Sequence, residues 1–147
     1  MDLRKCQKKP SYSKFDSDIL WLKPYINFVL SSNEKKVLKK IQVFNIKPPR
    51  VQRILGICER IGRGSYAVRL TLIDHVTFND ENTGELTIGV RPLDDEKILE
   101  TLAHELAHLR RAVRKDKKWT QHDDEFYIES TKILLKFYRL RKKINSK

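Results

Sequence analysis

His104-Glu105-Leu106-Ala107-His108 is the stretch of this chain whose residue types and spacing can do chemistry. On a helix of about 3.6 residues per turn, imidazoles at i and i+4 share one face, about 6 Å apart. Two neutral ring nitrogens at that separation can reach one tetrahedral ion at about 2.0–2.1 Å each. Glu105 is offset by one residue, so its carboxylate is expected beside the metal without binding it. There it can take a proton from a metal-bound water, whose pKa zinc lowers to about 7. Nucleophile, Lewis acid and proton shuttle are together what amide hydrolysis requires, with Glu105 as the base. The alternative is a pair of surface histidines on a charged helix. Leu102, Leu106 and Leu109 argue against it, because they set the pentapeptide on or beside a buried stripe.

A catalytic zinc takes a third protein ligand and leaves a fourth position open. His122 follows His108 after the interval 109–121, which contains no glycine and therefore no tight glycine turn. The motif helix can run on past His108, and a loop can return His122 at the start of the last helix. Glu125 and Glu129 lie on the same helical face as His122 and are the alternative third ligands of a gluzincin-like site. His122 is the preferred choice, with an acidic neighbour such as Asp123 orienting its ring; helix capping would explain Asp123 equally well. Tyr127 is either a donor to a developing oxyanion or a core aromatic next to Phe126. Trp119 lies among Arg114, Lys115, Lys117 and Lys118, where it either stacks on an exposed base or anchors its loop.

The elements that must position these residues are legible in part. Ile19, Leu20, Leu22, Ile26, Val29 and Leu30 predict one or two helical pieces broken near Pro24. Ser31 and Glu34 form a capping-box pair ahead of Val37, Leu38, Ile41 and Phe44, predicting a second helix. A third is expected from Pro49 through Val51, Ile54, Leu55 and Cys58, ended by Gly62 and Gly64. The run from Tyr66 to Phe78 reads as strand, NDENTG as a loop, and ELTIGV as a second strand, giving a hairpin or two adjacent strands. Asp94 or Asp95 caps the motif helix, whose stripe is Ile98, Leu99, Leu102, Leu106 and Leu109. A final helix starts with Thr120 and Asp123 in capping-box register and continues through Phe126, Ile133, Leu134, Phe137 and Leu140. The expected fold class is α+β: one small zincin-like domain over 16–147, after a loose basic N-terminus at 1–15.

With 147 residues, 39% hydrophobic and 34% charged, the chain suits one folded domain and not a disordered segment. No apolar run approaches the roughly 18 residues of a membrane span. The N-terminus lacks the apolar stretch of a signal peptide, and Cys6 and Cys58 have no CxxC spacing, so an intracellular, reducing compartment and a monomer are expected. The net charge of +12 is uneven. Basic residues crowd 110–118 and 132–147, while acidic ones crowd 74–105. Arg110, Arg111, Arg114, Lys115, Lys117, Lys118 and Trp119 are therefore expected to contact nucleic acid. The acidic block would keep DNA out of the cleft and leave it to polypeptide, aligned by edge pairing on strands 66–78 or 85–90.

The segments ILETLAHELAHL and QHDDEFY resemble the SprT-like and WLM (Wss-type) metallopeptidases, which pair HELxH with a later His, a short spacer and an aromatic residue. The resemblance spans roughly residues 66–130, and His122 to Tyr127 is similar to the WLM HDxxFY element. It implies one zinc per chain, ligands His104, His108 and His122, catalytic Glu105, and cleavage of proteins bound or crosslinked to DNA. Two other readings remain: a DNA-binding protein with a structural metal, and a general or regulator-cleaving peptidase unconnected with DNA.

Overall fold

Ser31 and Glu34 form the reciprocal cap their spacing predicts. The Ser31 hydroxyl accepts from the Glu34 amide at 3.2 Å, and the Glu34 carboxylate accepts from the Ser31 amide at 2.8 Å. The computed structural model describes residues 14–44 and 55–146. In it a 3-10 turn, Ser17–Leu22, leads into α1, Lys23–Val29, with Pro24 in its first turn where the missing N–H costs nothing. The capped helix α2, Ser32–Val37, is short.

The expected second helix ends there, because Leu38–Val43 is strand β1. Its buried residues Leu38 and Ile41 are three apart, a helical spacing. A bulge between Leu38 and Lys40 inserts one residue and returns both side chains to the same face of the sheet. The expected third helix fares similarly. Residues 49–54 lie outside the described residues, and Gly56–Gly62 is strand β2. Gly62 and Gly64 belong to the turn of a hairpin with β3, Ser65–Leu70, where Gly64 takes φ +64°.

β3 is central. It pairs parallel with β1 and antiparallel with β2, in the order β1-β3-β2. The run from Tyr66 to Phe78 is thus two strands of different sheets. Among the described residues β4, Ile73–Asn79, pairs with β5 alone, Leu86–Pro92, and of the hairpin or adjacent strands expected the structure has the hairpin.

α3, Asp95–Val113, carries the motif and is capped by Asp94, whose carboxylate accepts from the Lys97 amide at 2.8 Å. It packs on β2 and β3 along one side and on α4, Asp124–Asn145, along the other. α4 begins later than expected. Asp123 is its cap, accepting from the Phe126 amide at 3.1 Å, while Thr120 is exposed in the preceding loop. Ile19, Leu22, Ile26, Ile41, Val68, Leu70, Leu99, Leu102, Leu106, Leu109, Phe126, Ile133 and Phe137 form one core between helices and sheet. Of the expected loose N-terminus, Lys14 and Phe15 are docked: Phe15 bridges to Ile41, and the Lys14 ammonium donates to the Lys35 carbonyl at 2.8 Å. Among the described residues the chain is therefore a mixed α+β protein, and no helix is long and apolar enough to cross a membrane.

Candidate metal centre

α3 is covered on most of its circumference, so even the polar residues of the motif are sequestered: His108 is 6% exposed and Glu105 4%. His104 and His108 project from the face turned toward the start of α4. His122 comes back to meet them from the loop just ahead of the Asp123 cap. Its Nε2 lies 3.1 Å from the Nε2 of His104 and 3.1 Å from that of His108. Among the described residues this is the one group of three such side chains able to share a metal ion.

The ring protons decide what these contacts mean. His108 Nδ1 is 2.7 Å from the Trp119 carbonyl, which can only accept, so Nδ1 carries the proton and Nε2 turns a lone pair toward the other rings. One proton cannot satisfy three converging nitrogens, whereas a cation among them satisfies every lone pair. Nitrogens bonded to a tetrahedral zinc at about 2.0–2.1 Å lie about 3.3–3.4 Å apart, close to the spacing here. Burial, then the neighbouring His108 and His122, pushes His104 down to about 4, and burial likewise lowers His108. These rings are neutral at neutral pH, the form a metal needs. The donor set fits a metal ion.

Phe126 is the floor of the cluster. It stacks on His108 at 4.5 Å and 22° and meets His104 at 4.6 Å and His122 at 4.8 Å. Together with the Trp119 carbonyl it fixes how the rings are oriented. Neither role was read from the sequence. A signal for Phe126 was present, since it stands one helical turn after His122.

A cleft of about 640 Å³ opens over the histidines and Glu105. One wall is Leu55 to Cys58 at the start of β2; the other is Lys97, Glu100 and Thr101 of α3, with Trp119 and Thr120 at one end. Burial alone lifts Glu105 to about 7. Burial also pushes the Cys58 thiol up, with Glu105 adding to the effect, so Cys58 faces the cleft as a neutral group. Gly56 is what lets β2 come so close. A Cβ there would lie 2.6 Å from Thr101 Cγ2 and 3.1 Å from both Cγ and Oε2 of Glu105.

Several expected site residues lie elsewhere. Glu129 is buried in ion pairs, 2.7 Å from Arg114 and 3.6 Å from Arg110, and Glu125 is exposed outside the cluster, so neither joins the histidines. Asp123 caps α4 and binds Arg111 instead of orienting His122. Tyr127 is 58% exposed and lines no part of the cleft, which removes it both as oxyanion donor and as core residue. Arg110 and Arg111 are withdrawn from any nucleic-acid surface: Arg110 pairs with Glu34 at 3.0 Å, and Arg111, 3% exposed, with Asp116 and Asp123. Trp119 packs edge-on against Tyr66 at 5.7 Å and anchors its loop. Arg114, Lys115, Lys117 and Lys118 remain exposed. β3 has no free edge, so the strand available beside the cleft is β2.

No protein-family model matches the chain, no curated protein matches it, and no solved structure matches it, which leaves the three-histidine geometry as the observation that carries the site's chemistry.

Proposed function

We propose that this chain is a zinc-dependent endopeptidase of the zincin type, acting on proteins bound or crosslinked to DNA. The observation that carries the reading is the convergence of three imidazoles beside a buried carboxylate in one cleft. Zinc held by His104, His108 and His122 would supply a Lewis acid for the scissile carbonyl and lower the pKa of water to about 7. Glu105 takes the proton from the attacking water and passes it to the leaving amine. Burial in the metal-free cleft raises this carboxyl above the usual carboxylate range, which makes it the stronger base for that transfer. Among the described residues β2 is an edge strand of its sheet, and its outer edge offers main-chain hydrogen bonds to an extended polypeptide laid across the cleft. The similarity of HELAH and HDDEFY to SprT-like and WLM sequences supports the same reading. So do Lys115, Lys117 and Lys118, exposed on the loop that carries His122. A purely structural metal would give neither Glu105 nor the cleft a role.

Metal analysis and a peptide-bond assay on two variants test this. Glu105→Gln is expected to keep one zinc per chain and lose turnover by several orders of magnitude, because the amide keeps the size but cannot act as a base. His122→Ala is expected to lose both. Comparable cleavage by Glu105→Gln and the parent would sink the catalytic assignment.

A further inference from the structure

Arg111 stands at i+3 from His108 and i+7 from His104, on the same face of α3 one turn beyond the ligands. Its guanidinium is 3% exposed, and its donors go to the two ends of the connection between α3 and α4. At the near end Nε donates to Asp116 Oδ2 at 2.9 Å. At the far end Nη1 donates to the Gln121 carbonyl at 3.1 Å and to Asp123 Oδ1 at 2.7 Å, and Nη2 donates to Asp123 Oδ2 at 3.0 Å. Gln121 and Asp123 are the two residues flanking His122. The ligand that α3 does not supply is therefore pinned, on both sides of its own backbone, by a side chain that α3 does supply.

Taking His104, His108 and His122 as the metal site, we propose that Arg111 is the positioning residue for the third ligand: its two-ended clamp on Gln121 and Asp123 sets His122 against the pair on α3. Phe126 and the other two rings touch the His122 side chain, whereas the backbone on either side of it is held from α3 by Arg111. His122 is exposed, it precedes the first turn of α4, and the loop before it passes through Lys115 at φ +60°. Without the clamp the three nitrogens must be gathered when the metal binds, and that ordering weakens affinity. Lysine cannot replace arginine here, because a single ammonium cannot reach Asp116, the Gln121 carbonyl and both oxygens of Asp123 together.

Cobalt(II) titration of the metal-stripped full-length protein, followed by visible absorption, tests the clamp apart from any catalysis. Arg111→Lys and Asp123→Asn are compared with the parent and with His122→Ala; asparagine caps a helix as well as aspartate does, so Asp123→Asn spares α4. The expected result is cobalt affinity about 10–100-fold weaker in both clamp variants, with the absorption band of the bound ion altered. Should Arg111→Lys not fold, Asp123→Asn decides by itself. Clamp variants that bind cobalt like the parent, while His122→Ala does not, overturn the proposal and leave the metal site standing. Parent-like binding by His122→Ala overturns the metal site, and the clamp's role with it.

Discussion

Burial acts on Glu105 and His104 with opposite consequences for the pH dependence of stability. His104 falls from 6.5 to about 4 on folding, so the unfolded chain binds its proton more tightly; that contribution is full above 6.5 and is lost as pH drops toward 4. His108, also lowered, acts in the same direction. Glu105 rises from 4.5 to about 7, so its contribution is full below 4.5 and is lost as pH climbs toward 7. Between 4.5 and 6.5 the two slopes oppose each other. In the metal-free protein, Glu105→Gln removes one of them, and its melting temperature is expected to rise with pH more steeply than the parent's across that window. Thermal denaturation in the presence of a chelator checks this; parallel curves would mean that Glu105 is hydrated in the folded protein. The motif residues themselves were readable from the sequence, because i, i+4 geometry is local. The Trp119 carbonyl that fixes the His108 tautomer was not, since a backbone acceptor leaves no mark in residue types.

At the level of elements, the approach of β2 to α3 depends on the missing side chain at Gly56. In Gly56→Ala the new methyl meets Thr101 Cγ2, whose rotamer is held by the Thr101 hydroxyl donating to the Lys97 carbonyl at 2.9 Å. Overpacking of this kind costs about 1–3 kcal/mol. Because the same methyl presses on Glu105, activity is expected to fall further than the stability loss explains. Adding Thr101→Ser removes Cγ2 while keeping the hydroxyl that donates to the Lys97 carbonyl, and should recover stability in a double-mutant cycle. Additive effects would show that the strand does not lie this close. β1 and β2 were both read as helix, for different reasons. In β1 the bulge gives Leu38 and Ile41 a helical spacing; in β2 the pairing with β3 overrides an ambiguous pattern, as tertiary context commonly does for short apolar runs.

Across the whole molecule, the basic cluster at 110–118 divides by burial into two kinds of charge. Arg110 bridges Glu34 and Glu129, both under 7% exposed, and donates to the Val29 carbonyl at 3.0 Å, tying α1, α2 and α4 to α3. Arg110→Ala leaves buried carboxylates short of a partner, and a loss of about 3–5 kcal/mol in chemical denaturation is expected. Lys115, Lys117 and Lys118 are surface charges, so replacing all three with Gln should leave stability unchanged. If they contact phosphates, the salt dependence of binding to single-stranded DNA should become shallower by about 2 log units per log unit of salt, at about 0.7 per contact. An unchanged slope would favour a peptidase with no link to DNA. The sequence by itself determined the motif helix with a cap at Asp94 or Asp95, the capping box at Ser31, a strand ending in ELTIGV beside an earlier one, and the candidate ligands. All of these follow from spacings of a few residues, where helix and turn geometry allow little choice. Only the tertiary structure decided which acidic residue is no ligand, which arginines are internal, and which strand borders the cleft. Each depends on partners brought together by folding: Arg110 and Glu34 are 76 residues apart, and no local spacing records that they meet.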